Sequence, residues 1–175
     1  MFMQDATRFD FDAAMPVTSQ QTGLTAGTLV DTTQGWLAAE GLRIGTGVHT
    51  IEGGARPVLA LDRRVLAAGT LVVRLPGDSF DNCSDLEVLP DQILVLDDHD
   101  GLHLHCAAST LVGRRGAKFV RLEHALECVT PIFAEDEVIW TNSGTRLFCP
   151  GLVQAPVIAA DPVRYLPEAL RRVST

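Results

Sequence analysis

The stretch from Asp97 to Cys106, D-D-H-D-G-L-H-L-H-C, contains the residues best suited to metal chemistry. If it forms a β-strand, His103 and His105 project from one face, because side chains alternate along a strand. Two imidazoles on one face can share a metal ion, and Asp98 or Asp100 could supply a carboxylate. A solvated strand face beside an acidic turn explains the same residues without a metal. Because His-x-His alone is a weak pattern, we expect no metal or other cofactor and keep His103 and His105 as the candidate ligands.

Cysteine and threonine side chains are the candidate nucleophiles. A threonine hydroxyl is a weak attacking group unless a base lies next to it, so Thr22 and Thr25 are secondary candidates. The cysteines are 21 to 23 residues apart without a C-x-x-C pair, which fits neither a zinc knuckle nor a dense disulfide framework. We expect buried, reduced thiols at the four positions, Cys83, Cys106, Cys128 and Cys149.

Composition limits the class of protein that can carry these groups. The chain has 175 residues, of which 46% are hydrophobic and 21% charged, as in an ordinary globular domain. The formal net charge of -8 argues against binding to nucleic acid, because phosphate backbones would be repelled. No apolar run is long enough for a membrane span, and the N-terminus lacks the pattern of a secretory signal. These features predict a cytoplasmic protein that does not bind membranes.

Short apolar runs separated by Gly, Pro and Asp predict an all-β fold of the sandwich or barrel type. Residues 1–22 form a polar leader, residues 23–151 the β domain, and residues 152–175 a tail with one helix from Pro162 to Val173. One turn of helix is predicted from Ala107 to Val112, and Trp36 and Trp140 are expected in the core or over its edge. The strands are predicted at residues 27–31, 48–51, 56–61, 70–75, 86–89, 93–96, 102–106, 118–122, 126–133 and 138–141.

Five stretches in this order resemble a Hint domain, the autoprocessing module of hedgehog proteins and inteins, in its short bacterial form. The first, G-L-T-A-G-T-L-V from Gly23, resembles the opening strand, which in the family begins with a cysteine. The others are similar to the family's "V-E-D-L-x-x-G-D-x-V", "L-x-V-S-P-x-H-x-V-L", Ala-rich "L-V" and "F-x-x-H-E-V-I-x-A-N-G" segments. They lie at Trp36–Val48, Leu86–Leu96, Ala107–Val112 and Phe133–Gly144, followed by a Pro150-Gly151 exit.

The resemblance implies a compact, curved β fold with pseudo-two-fold halves, and it also implies which residues once carried chemistry. In the family, the first cysteine attacks the preceding carbonyl and exchanges an amide for a thioester. A histidine, with a Ser or Thr three residues before it, polarises that peptide and protonates the departing nitrogen. Here the nucleophile position is Gly23, the hydroxyl position Leu89, the histidine position Gln92 and the later histidine position Asp136.

Four replacements together imply that the acyl-shift machinery has been lost. Our first hypothesis is a degenerate Hint domain that serves as a binding or structural module, with an unidentified protein partner or host chain. The second is an active processing or hydrolytic enzyme that uses a threonine nucleophile or a metal at His103 and His105. A third is a small-ligand-binding β fold, which would contain a deep apolar pocket.

Overall fold

The short apolar runs form β-strands, as the sequence predicts. A computed structural model describes residues 22–97 and 100–152. Their strands are β1 Leu24–Thr25, β2 Leu29–Thr32, β3 Gly35–Ala38, β4 Gly47–Thr50, β5 Gly54–Pro57, β6 Ala60–Leu66, β7 Leu71–Leu75, β8 Leu86–Val88, β9 Ile93–Asp97, β10 His103–Ala107, β11 Lys118–Arg121, β12 Leu126–Ile132, β13 Glu137–Thr141 and β14 Thr145–Cys149. Two short 3₁₀ turns, Ala39–Gly41 and Ala108–Leu111, are the helical elements of the described residues. The all-β prediction is confirmed.

The strands form two antiparallel sheets around one main core. The first sheet has the order β11-β7-β8-β1-β12-β6, and the second has the order β10-β9-β14-β13-β2-β4-β5 with β3 paired to β2. Alternating apolar side chains of both sheets meet between them, so most strands bury one face, whereas β5 is exposed throughout. The largest side chains of this core are Phe133, Leu24, Leu42, Leu75, Leu86, Leu94, Ile139 and Leu147.

The predicted strand from Arg56 to Leu61 is wrong in its boundaries. The chain changes sheets there, so that β5 ends at Pro57 and β6 begins at Ala60. Pro57 cannot donate a backbone hydrogen bond, and the fully buried Val58 bonds instead to the loop at Thr46. The paired bases Arg63 and Arg64 lie inside β6, an edge strand, where charged side chains are tolerated.

Two further expectations about burial are wrong. Trp36 is 46% exposed, because it lies on the outward face of the β2–β3 hairpin. Cys83 is exposed and Cys106 is half-buried, whereas Cys128 and Cys149 are buried. All four thiols are free.

The hairpin strand β14 was not predicted from the sequence, because its turn depends on positive φ angles at Asn142 and Ser143.

The predicted turn of helix near residue 107 is confirmed as the 3₁₀ turn Ala108–Leu111. The predicted helix from Pro162 to Val173 lies outside the described residues, as does most of the predicted leader. Within the described ranges, no helix is long and apolar enough to cross a membrane.

Candidate functional site

Gly23 lies in direct contact with Gln92. The backbone N–H of Gly23 donates a hydrogen bond to Gln92 Oε1 over 2.9 Å. The amide nitrogen of Gln92 in turn donates to the carbonyl of Phe148 at 2.8 Å and to that of Ile93 at 3.2 Å. These two bonds fix which end of the side-chain amide faces Gly23. Buried Gln92 therefore joins the start of the domain to β9 and β14.

The other side of the Thr22–Gly23 peptide is held by two side chains from β6 and β12. The carbonyl of Thr22 accepts a hydrogen bond from the guanidinium of Arg64. The Cys128 thiol also points at this carbonyl, with its sulfur 3.9 Å from the oxygen. Arg64 and Cys128 are register partners, so both reach the same peptide. The N–H and the C=O of this peptide are thus both bonded.

The space that a side chain at position 23 would need is occupied. A Cβ atom built there lies 2.5 Å from Cys128 Sγ and 2.8 Å from Thr130 Oγ1. Gly23 also has a φ of 127°, a backbone conformation that side chains with a Cβ rarely adopt. Burial raises the pKa of the Cys128 thiol, and Arg64 opposes that effect only in part. The site therefore has neither room for a nucleophile at position 23 nor a thiolate beside it.

Leu89 belongs to a second, smaller apolar cluster on the outer face of the first sheet. It is 1% exposed and packs with Val72, Leu122 and Cys128. The turn from Leu89 to Gln92 is closed by a backbone bond of 3.0 Å between these two residues. Where the family pattern has a hydroxyl that assists the histidine, this chain has a hydrocarbon contact that helps to bury the thiol of Cys128.

Asp136 lies at the exit of the domain. Its Oδ1 accepts the N–H of Gly151 at 2.8 Å. Gly151 is packed so closely against the backbone of Glu135 that a Cβ atom would lie 2.5 Å from its carbonyl carbon. A parallel bridge between Gly151 and Phe133 completes this crossing. Gln92 and Asp136 thus have the same role, since each accepts the N–H of a glycine at one end of the domain.

The family of the chain follows from comparison with known proteins. A model of the Hint domain matches residues 22–145, more than half of the chain, and this range includes Gly23, Leu89, Gln92 and Asp136. The chain belongs to the Hint domain family.

Solved structures agree with this assignment at the level of the fold. The bacterial intein-like domain from Clostridium thermocellum is similar at 15% identity with a TM-score of 0.54, over 74% of this chain and 99% of that one. The TvoVMA intein is similar at 11% identity with a TM-score of 0.54, over 74% and 98%. A comparison with curated proteins finds no match.

In the described part of this Hint domain, the two histidines of β10 contact Asp97 and Phe148, respectively. His103 Nδ1 lies 2.8 Å from Asp97 Oδ1, which also accepts a bond from Arg146. His105 packs at a tilt on the ring of Phe148, and burial followed by the charge of His103 lowers its pKa. Among the described residues, no group of three or more His, Cys, Asp or Glu side chains could hold a metal ion. Asp98 lies outside the described residues.

Both threonines proposed as substitute nucleophiles lie close to the Thr22–Gly23 peptide. The Thr25 hydroxyl donates to the carbonyl of Glu87 at 2.9 Å and lies 3.1 Å from the hydroxyl of Thr28. Thr25 is buried, and these bonds engage its hydroxyl. The groups that bond or closely contact the Thr22–Gly23 peptide include an amide, a guanidinium, a thiol and a hydroxyl, and at neutral pH none of these four acts as an efficient general base.

The sequence did not indicate Arg64, Cys128 and Thr130 as parts of this site. All three come from the β6–β12 pair, whose register places Arg64 opposite Cys128 and Asp62 opposite Thr130. Strand register depends on long-range pairing, so a single sequence carries no direct signal for it. The close approach of Cys128 to Gly23 could be found only from the fold.

Proposed function

We propose that this Hint domain no longer cleaves itself and serves as a structural or binding module within a larger chain or complex. The observation that carries the proposal is the hydrogen bond from Gly23 N–H to Gln92 Oε1, at the place where the family resemblance implies a nucleophile and a histidine. A side-chain amide accepts this bond but cannot transfer a proton to the nitrogen. The peptide is therefore held without a route to cleavage.

Hydrogen bonds at Gly23 and at Gly151 support this proposal. Gln92 and Asp136 occupy the two histidine positions of the family pattern, and each binds the backbone N–H of a glycine. Such bonds hold the backbone in place at Gly23 and at Gly151. Residues that once moved protons would now hold the chain in place, which is the role we assign to the retained fold.

The stability of the Thr22–Gly23 bond tests this proposal directly. We expect the purified full-length chain to give one intact mass with no additive, with dithiothreitol and with hydroxylamine. Because Gly23 has no side chain, a thioester at this peptide would have to form by attack of the Cys128 thiol on the Thr22 carbonyl, with Gly23 leaving as an amine. Either reagent would cleave that thioester, and a fragment that begins at Gly23 would contradict the proposal.

The alternative enzyme hypotheses would give other results in the same samples. A fragment that begins at Thr22 or Thr25, and that is lost in the matching Thr22→Val or Thr25→Val variant, would indicate a threonine nucleophile. Metal analysis of untagged protein tests the remaining case. Stoichiometric zinc that disappears in a His103→Ala and His105→Ala double variant would support a metal-dependent enzyme instead.

A further inference from the structure

Strand β6 forms one edge of the first sheet. It pairs with β12 on one side, and the described residues place no strand on its other side. At seven residues it is as long as any strand described, and Val65 on it is 74% exposed. An exposed edge strand of this length presents a row of backbone groups that can pair with another strand.

The sequence of β6, A-L-D-R-R-V-L, is complementary to itself when two copies run antiparallel about Arg63. Leu61 of one copy then faces Val65 of the second copy, and Asp62 faces Arg64 of the second copy. The first is an apolar pair and the second an opposite-charge pair, the two kinds of cross-strand contact that stabilise a sheet. Each of them occurs twice, because a two-fold axis repeats every contact. One nitrogen of the Arg64 guanidinium already bonds the carbonyl of Thr22, so only its remaining donors would face Asp62 of the second copy.

The one like-charge contact of this register is already neutralised within each copy. Arg63 would face Arg63 of the second copy at the axis. However, its guanidinium is bound to Glu127 at 2.8 Å and to the carbonyl of Leu42 at 2.6 Å. These contacts draw the side chain away from the axis, toward the loop that precedes β4.

A hollow next to β6 provides room for the second copy. It has a volume of about 670 Å³ and is lined by Leu61, Ile44, Arg43, Glu40, Arg63 and Glu127. Ile44 is 71% exposed at its rim. Val65 of the second copy would lie opposite Leu61 and on the same face of the sheet, so it would enter this hollow beside Ile44.

We propose that the protein associates with a second copy of itself through antiparallel pairing of β6, to form a sheet that continues across a two-fold axis. The contact is smaller than a standard stable interface, so the dimer dissociates readily and depends on concentration. This association is independent of the proposed loss of cleavage.

Sedimentation velocity of the full-length chain tests the association. Between about 10 µM and about 1 mM, we expect the average mass to rise from that of a monomer toward that of a dimer. Val65→Lys should raise the dissociation constant about tenfold or more, because both Leu61–Val65 pairs are lost. The matched control is Phe119→Lys, an exposed apolar residue on β11 at the other edge of the same sheet, and it should leave the constant unchanged.

Disulfide trapping tests the register in a Cys83→Ser background, which removes the exposed thiol. Arg63→Cys should form a covalent dimer on mild oxidation, since paired residues in antiparallel strands lie about 5.5 Å apart between Cα atoms. Val65→Cys should not, because its two copies would be about 13 Å apart. A monomer at about 1 mM would overturn the proposal. So would a dimer that Val65→Lys leaves intact, or equal trapping at positions 63 and 65.

Discussion

At the scale of single residues, Gly23 is fixed in identity by its surroundings. Its φ of 127° and the 2.5 Å between a built Cβ and Cys128 Sγ act together against any side chain. Restoring a cysteine at this position would therefore not restore a nucleophile, because the new side chain collides with Cys128 before it can approach the carbonyl. The absence of a side chain at position 23 and the close packing of β12 against it therefore go together.

This leads to a prediction for Gly23→Ala. We expect the free energy of unfolding to fall by about 2 to 4 kcal/mol, because backbone strain adds to overpacking. Gly27→Ala is the matched control, since nothing lies within 4 Å of its built Cβ. It should change stability by less than about 1 kcal/mol. Urea denaturation followed by circular dichroism measures both values.

A double-mutant cycle identifies the colliding atom. Cys128→Ala removes the sulfur, so Gly23→Ala should cost less in that background by about 1 kcal/mol or more. An equal cost in both backgrounds would show that the φ angle or the contact with Thr130 Oγ1, and not the Cys128 sulfur, excludes the side chain. A cost near zero for Gly23→Ala would contradict the close packing of Cys128 on Gly23.

At the scale of elements, Asp97 connects three strands of the second sheet. Its carboxylate at the end of β9 accepts bonds from Arg146 on β14 at 2.9 Å and from His103 on β10 at 2.8 Å. The bond from Arg146 is the main cause that lowers the pKa of Asp97. The bond from His103 acts in the same direction, and burial opposes both.

This lowered pKa predicts an acid-dependent loss of stability. A carboxyl group whose pKa is lowered by folding stabilises the protein at pH values above its unfolded-state pKa of about 3.9. That contribution is lost as the pH falls through the lower pKa of the folded state. We expect Asp97→Asn to lower the midpoint of urea denaturation at pH 7. The difference in midpoint between the variant and the wild type should disappear below about pH 4. A difference that does not change with pH would contradict the role of the charge. Glu135→Gln, a similar change on an exposed side chain, is the control.

The elements also show what a sequence of this kind can predict. Alternation and turn residues located most of the strands, and five weak motifs in the right order indicated the fold. The break at Pro57 and Val58 was missed because a continuous apolar run can cross between two sheets as easily as it can remain in one. Gly23 and Gln92, both singled out by the resemblance, are in contact in the structure, whereas Arg64 and Cys128 were not found, because their contact depends on register alone.

At the scale of the whole molecule, the two sheets share a single main core. Leu24 of the first sheet and Val30, Leu94, Ile139 and Leu147 of the second sheet belong to one buried cluster. Because strands of both sheets contribute side chains to this shared core, neither sheet should be stable without the other. The hydrogen bonds from Gly23 to Gln92 and from Gly151 to Asp136 then attach these two glycines to the same cooperatively folded unit.

Leu24→Ala tests this cooperativity, because Leu24 lies in the first sheet and both tryptophans lie in the second. Loss of this 1% exposed side chain should cost about 2 to 5 kcal/mol. In a cooperative fold, the fluorescence transition of Trp36 and Trp140 must shift to lower urea together with the circular dichroism transition of the whole chain. If the fluorescence midpoint stays at its wild-type value while circular dichroism shifts, the sheets unfold separately. The two sheets would then be independent folding units, and the proposed binding or structural role would have to be assigned to one of them.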